Sequence, residues 1–136
     1  SHDSDMTENG YCKEEMKMVN ETRKIMHDEA IDVCPTCIRV PLFRAHAESV
    51  VIEQERKITT DEARNALEAA PGVRVVDQRD DNYFPMPLDA TDKYDVLVGR
   101  IRDDLSNDNG LALFLCGDQL LKGAALNAVQ IAELLV

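Results

Sequence analysis

The residues best suited to chemistry lie between Cys34 and Ser49, in the run Cys-Pro-Thr-Cys-Ile-Arg-Val-Pro-Leu-Phe-Arg-Ala-His-Ala-Glu-Ser. Arg39 carries a guanidinium whose planar fork can hold a carboxylate or phosphate through two parallel hydrogen bonds. His46, seven residues on, carries an imidazole that can exchange a proton near neutral pH. By spacing alone the pair is a weak signal, because an Arg and a His so placed occur often by chance. A second pair, Glu14 and Lys17, stands three residues apart in a helical stretch and so shares one helix face. Its plain reading is an exposed ion pair of little energetic consequence.

Four cysteines offer other chemistry. Cys34-Pro-Thr-Cys37 has the C-x-x-C spacing of redox and zinc sites. Zinc needs two further ligands, and no second C-x-x-C or paired His follows. A redox C-x-x-C opens a helix, whereas here apolar and β-branched residues lead to Pro41, a strand-like composition. Alternation along such a strand would place the two cysteines on opposite faces. The expectation is therefore no metal, and reduced thiols in a cytoplasmic protein.

The elements that must position these side chains follow from periodicity. Residues Ser1–Tyr11 are polar and acidic and read as an exposed lead-in. Lys13–Met26 keeps Met16, Val19, Ile25 and Met26 at helical spacing with no Gly or Pro. Ile31–Val40 reads as a first strand, with a turn near Pro41, and Ala47–Gln54 as a second. Thr60 or Asp61 caps a short helix to Ala70, stopped by Pro71-Gly72. Val73–Val76 is a short apolar strand. Gln78–Asp95, with Pro85 and Pro87, reads as a long loop, a feature usually functional or part of an interface. Val96–Arg102 and Leu111–Cys116 form a hairpin across an Asp-rich turn ending in Asn109-Gly110. Asp118 caps a final helix to about Leu135. That helix is apolar almost all round, so it should be covered on more than one side.

At 136 residues the chain is one domain by length, Ser1–Val136, with 44% hydrophobic and 30% charged residues, a globular composition. The formal charge of -11 argues against nucleic acid or an anionic membrane as partner. No apolar run reaches membrane-spanning length. Nothing resembles a charged-then-apolar leader, and the Ser1 start reads as a processed, tagged or excised chain. The fold class expected is α+β: a single mixed, mainly antiparallel sheet with helices packed on one face.

The motifs carry a resemblance beyond these readings. Glu14-Glu15-Met16-Lys17 with Asn20-Glu21-Thr22 is followed by Thr36-Cys37-Ile38-Arg39-Val40-Pro41 and His46-Ala47-Glu48-Ser49. Phe84-Pro85-Met86-Pro87-Leu88, Val98-Gly99-Arg100-Ile101-Arg102, Gly117-Asp118-Gln119 and Lys122–Ala128 complete the order. Together they resemble the C-terminal, substrate-binding and dimerisation domain of the aspartate-β-semialdehyde dehydrogenase family, over essentially the whole chain. The implied fold is that of the C-terminal domain of the semialdehyde and glyceraldehyde-phosphate dehydrogenases. The implied reaction is the NADPH-dependent reduction of β-aspartyl phosphate to aspartate semialdehyde and phosphate, through a thioester on a cysteine, in lysine, methionine and threonine biosynthesis.

Carried over by position, the resemblance makes His46 the general acid/base and Arg39 the grip on the substrate α-carboxylate. Glu14 would meet the substrate amino group, Lys17 the phosphate, and Gln119 the nicotinamide end of NADP. It also implies a homodimer or tetramer formed through the sheet face. No G-x-G-x-x-G follows a strand, and none of Cys12, Cys34, Cys37 or Cys116 stands in the Gly-rich context of the family's nucleophile. An N-terminal NADP-binding domain is thus expected to be absent, the cofactor to be bound mainly by it, and the chain alone to be inactive. Two other readings stand beside this one: a free-standing, non-catalytic dimerisation module, and a domain of an N-acetyl-glutamyl-phosphate reductase. The Arg-to-His spacing and the Gly117-Asp118-Gln119 segment fit the first family better.

Overall fold

The computed structural model describes residues 5–136. The chain divides into two compact units, one ending at Pro41 and one running from Leu42 to Val136. Ser1–Ser4 of the expected lead-in lie outside the described residues.

In the first unit, helix α1 spans Lys13–Met26, as its periodicity predicts. Glu14 and Glu15 lie in its first turn and Arg23 and Lys24 in its last, the arrangement that suits the helix dipole. It ends at His27, which adopts a left-handed conformation with φ 54°. The strand expected over Ile31–Val40 is not formed. Two prolines explain this correction, since Pro35 and Pro41 have no N–H to give a ladder and hold the residues before them extended. The N–H of Cys37 goes instead to a side chain, Glu15 Oε1, at 2.9 Å. The Arg23 Nε–H donates to the Ile31 carbonyl at 2.9 Å, fastening the returning chain to the end of α1. With no strand, the C-x-x-C geometry expected for Cys34 and Cys37 also lapses.

The second unit is built on a four-stranded mixed sheet in the order β1-β4-β3-β2. Strands β1 (His46–Glu53), β4 (Gly110–Gly117) and β3 (Val96–Asp103) pair antiparallel, and β2 (Val73–Val75) joins β3 in parallel. This is the expected α+β fold. Helix α2 (Thr60–Ala69) is capped by Thr59 rather than Thr60 or Asp61. Thr59 accepts from the Glu62 N–H at 3.2 Å while Glu62 accepts from the Thr59 N–H at 2.8 Å. That reciprocal pair sits one residue earlier because only Thr59 has Glu three places on. The expected loop from Gln78 to Asp95 contains a bridge between Gln78 and Tyr83 and a short helix α3 (Pro87–Ala90). The Tyr83 hydroxyl donates to Asp89 at 3.0 Å, and Ala90 is fully buried.

The hairpin turn between β3 and β4 is made by side chains bonding their own backbone. Asp104 accepts from the Ser106 N–H and Asn107 from the Asn109 N–H, each at 2.8 Å. Leu97, Val98, Ile101, Leu111 and Cys116 are buried to within about 1%. The β3–β4 register shifts between Gly99 and Arg102. There the backbone of Gly99 comes so close to Val76 that a Cβ would lie 2.0 Å from its carbonyl oxygen.

The final helix differs from the expectation in two ways. It opens with a π-helical turn, Leu121–Ala125, before α4 (Leu126–Glu133). Its apolar side chains are also not covered within this chain: Ile131 is 60% exposed and Leu134 85%.

Candidate functional site

In the first unit the expected substrate residues stand on α1 and on the extended segment that returns beside it. Cys12 precedes α1, and its N–H donates to Glu15 Oε2 at 2.8 Å. The other Glu15 oxygen accepts from Cys37, two residues before Arg39. One carboxylate therefore ties the first turn of α1, which carries Glu14, to the segment that carries Arg39. Glu15 went unread as a positioning residue in the sequence, where its helical neighbours Glu14 and Lys17 drew roles. Lys17 and Glu14 pair with each other at 3.4 Å in solvent, and Arg39 is exposed.

The two cysteines of the C-x-x-C spacing have separate neighbours. Cys34 Sγ lies 3.5 Å from the Tyr11 hydroxyl, and Cys37 Sγ lies 3.5 Å from Met18 Sδ. The Cys34 hydrogen bond raises the Tyr11 hydroxyl above its ordinary range. Among the described residues, no group of three or more His, Cys, Asp or Glu could hold a metal ion. No helix among them is long and apolar enough to cross a membrane.

In the second unit His46 opens β1, opposite Gly117 at the end of β4. The residue before it, Ala45, is buried and carries φ 73°, a left-handed conformation that an L-residue with a Cβ adopts at a cost. Its N–H donates to Gln119 Oε1 at 2.8 Å. Arg44 is held from two sides, by Asp92 at 2.7 Å and by Asp118 at 2.8 Å. Asp118, whose carboxylate is fully buried, also accepts N–H bonds from Asp92 at 2.8 Å and Leu120 at 2.9 Å. Burial alone would raise the Asp118 carboxyl, but the Asp92 N–H, the Arg44 guanidinium and the Leu120 N–H outweigh it and hold the group below the usual carboxylate range.

His46 and Gln119 line one groove of about 500 Å³ together with Glu48, Leu115, Lys122 and Gly123. Of the sequence-predicted residues, these two share a wall; Glu14 and Lys17 share a helix turn. Arg44 and Lys122 had drawn no role, and Asp118 only that of a helix cap, a signal the Leu120 bond supports. A thiol nucleophile is not supplied by Cys116, which burial pushes up to about 11.

Comparison with known proteins places this architecture. Residues 2–122 match the family described as "Semialdehyde dehydrogenase, dimerisation domain". The chain is 59% identical over 135 residues to an aspartate-semialdehyde dehydrogenase of Synechocystis sp., covering 99% of this chain and 40% of that protein. To the enzyme of the same name from Bacillus subtilis it is 52% identical over 127 residues, covering 93% of this chain and 37% of the other. The crystal structure of aspartate semialdehyde dehydrogenase II from Vibrio cholerae, complexed with ASA, superposes with a TM-score of 0.93 at 47% identity. That match covers 98% of this chain and 39% of the Vibrio chain. The chain thus spans about two fifths of the length of the relatives it matches. With the motifs, the sheet order and these likenesses in agreement, the chain belongs to the semialdehyde dehydrogenase dimerisation-domain family.

Proposed function

We propose that this chain is the substrate-holding and dimer-forming domain of an aspartate-semialdehyde dehydrogenase. The reaction is reduction of β-aspartyl phosphate to aspartate semialdehyde, with release of phosphate, on the route to lysine, methionine and threonine. The observation that carries the reading is His46 exposed on the wall of a groove, held at the first position of β1 and beside Gln119. The family match and the shared names of the relatives support it.

In this reading His46 takes the proton when the thiol attacks the acyl phosphate and handles the proton exchanged as the thiohemiacetal collapses. Arg39 forks the α-carboxylate, Glu14 takes the ammonium, and Lys17 meets the phosphate. The mutual pairing of Glu14 and Lys17 is exposed, so substrate can displace it at little cost. Cys116 is buried with a raised thiol, and no cysteine here follows a Gly-rich turn. We therefore assign the nucleophile to a part of the enzyme outside this sequence and expect this chain alone to be inactive. NADPH, when bound, supplies the hydride. The residues here fit only its edge: the Gln119 carbonyl is engaged by Ala45, leaving its amide N–H groups to meet a carboxamide. The pyrophosphate falls to an N-terminal NADP-binding domain. The partner is a second copy, or three, joined through the sheet face, and the four free cysteines suit a cytoplasmic site.

The test is kinetic, in the full-length dehydrogenase carrying this domain. His46→Ala should lower kcat by roughly 10²–10⁴-fold. Arg39→Lys, which keeps the charge but loses the fork, should raise KM for the acyl phosphate or semialdehyde by about tenfold or more. Wild-type turnover in both variants would refute the reading.

A further inference from the structure

We propose that Arg44, Asp118 and Gln119 are positioning residues for His46, holding the backbone ahead of it in a left-handed bend that aims the imidazole at the groove. The inference rests on the reading of His46 given above and extends it to three residues that would act through it.

The geometry is specific. Ala45 sits at φ 73° in a buried position. A residue with a Cβ holds that conformation only where its surroundings enforce it. Here two adjacent side chains do so: Asp118 grips the side chain of Arg44, and Gln119 grips the N–H of Ala45. His46 itself is already in the β1–β4 ladder, opposite Gly117. Residues 44, 45 and 46 are therefore each tied to one of residues 119, 118 and 117. Asp118 is in turn fixed by the Asp92 and Leu120 N–H groups, and Asp92 closes the other side of the Arg44 guanidinium. The clamp lies at the rim of the groove, since Gly117, Asp118 and Gln119 line it beside His46. A general base must stand within hydrogen-bond reach of its proton, and a displacement of about 1 Å can cost on the order of a hundredfold in rate. A rigid frame for the imidazole that lines the groove therefore has catalytic value beyond its contribution to folding.

Gln119 gives the cleanest test, because it separates holding His46 from touching a cofactor. Gln119→Leu removes the acceptor, and Gln119→Glu keeps an oxygen for the Ala45 N–H while losing the amide donors. In the full-length enzyme, Gln119→Leu should lower kcat about tenfold with KM for the acyl phosphate changed less than about twofold, while KM for NADPH rises in both variants because both lose the amide donors. Gln119→Glu should recover most of the kcat loss but not the KM for NADPH. In the present chain, the His46 ring resonances should move in Gln119→Leu and return in Gln119→Glu. A role in folding alone would lower the melting temperature and leave those resonances, and the kcat of folded enzyme, where they were. Should Gln119→Leu not fold, Gln119→Ala removes the same acceptor with less bulk.

Unmoved His46 resonances together with wild-type kcat in the Leu or Ala variant would overturn the proposal. So would a Glu variant whose kcat is as low as that of the Leu variant, which would show that the kcat loss comes from the amide donors and not from the hold on Ala45. His46→Ala, run alongside, keeps the two ideas apart. If it turns over normally, the proton role of His46 fails, while the resonances still decide whether Gln119 positions the ring.

Discussion

The two units keep their candidate site residues in place by opposite means. From Leu42 onward the chain relies on a sheet whose inner residues, Leu97, Val98, Ile101, Leu111 and Cys116, are almost wholly withdrawn from water. His46 is a member of that sheet, so its position is inherited from a cooperative ladder and core. Up to Pro41, by contrast, α1 buries none of its own residues. The segment bearing Arg39 has no ladder at all and is fastened by side chains: Glu15 to the Cys37 N–H and Arg23 to the Ile31 carbonyl. The proposed proton-transfer group, His46, thus sits in the hydrogen-bonded ladder of a buried sheet. Arg39 and Lys17, the candidates for binding anions, have long adaptable side chains on an extended strap and on an exposed helix face.

That contrast can be broken at several points. The largest effect should come from Gly99→Ala, because the new methyl would meet the Val76 carbonyl at 2.0 Å. We expect a loss of more than about 3 kcal/mol in urea unfolding. A near-neutral result would mean the sheet yields easily, and the contrast between the units would fall. Glu15→Gln comes next. The amide still offers one oxygen but cannot serve both Cys12 and Cys37 as a carboxylate does. About 1–2 kcal/mol should be lost, with faster hydrogen exchange at the Cys37 amide and little change in the β3–β4 amides. If exchange quickened across the sheet as well, the strap would have to be part of the core.

A third effect is confined to alkaline solution. Burial raises the Cys116 thiol to about 11, above the roughly 8.5 of an unfolded cysteine. The neutral thiol is the folded form, so its contribution is intact below about pH 8.5 and is lost as pH climbs toward 11. Stability should fall across that window, and Cys116→Ala should flatten the fall. An unchanged slope in that variant would show the thiol is not the group responsible. The smallest change is Glu14→Gln, whose exposed partner Lys17 makes the pair worth under about 0.5 kcal/mol. Its effect belongs in KM and not in the melting curve, and a large loss of stability would show the pair to be structural.

Much of this is legible in the sequence. Helix α1, the β3–β4 hairpin, strand β1 and the mixed sheet all follow from spacing and turn residues, since each pattern is local. The ordered motifs identified the family, and through it His46, Arg39, Glu14, Lys17 and Gln119 as candidates. What misled was composition between Ile31 and Val40, where β-branched residues suggested a strand. Two prolines and a distant carboxylate decided otherwise. The helix from Asp118 was legible as a helix, but not its π turn, nor that its apolar face would stand open.

The sequence by itself determined which residue types were on hand and where local periodicity would run. Those depend on neighbours three or four positions away, and the chain carries them everywhere it goes. Only the tertiary structure decided that Ala45 bends to the left, that Asp118 and Gln119 reach back some 74 residues to hold it, and that Glu15 fastens Cys37. Such bonds join residues far apart in the chain. Their value comes from burial and exact angles, and no local pattern records either.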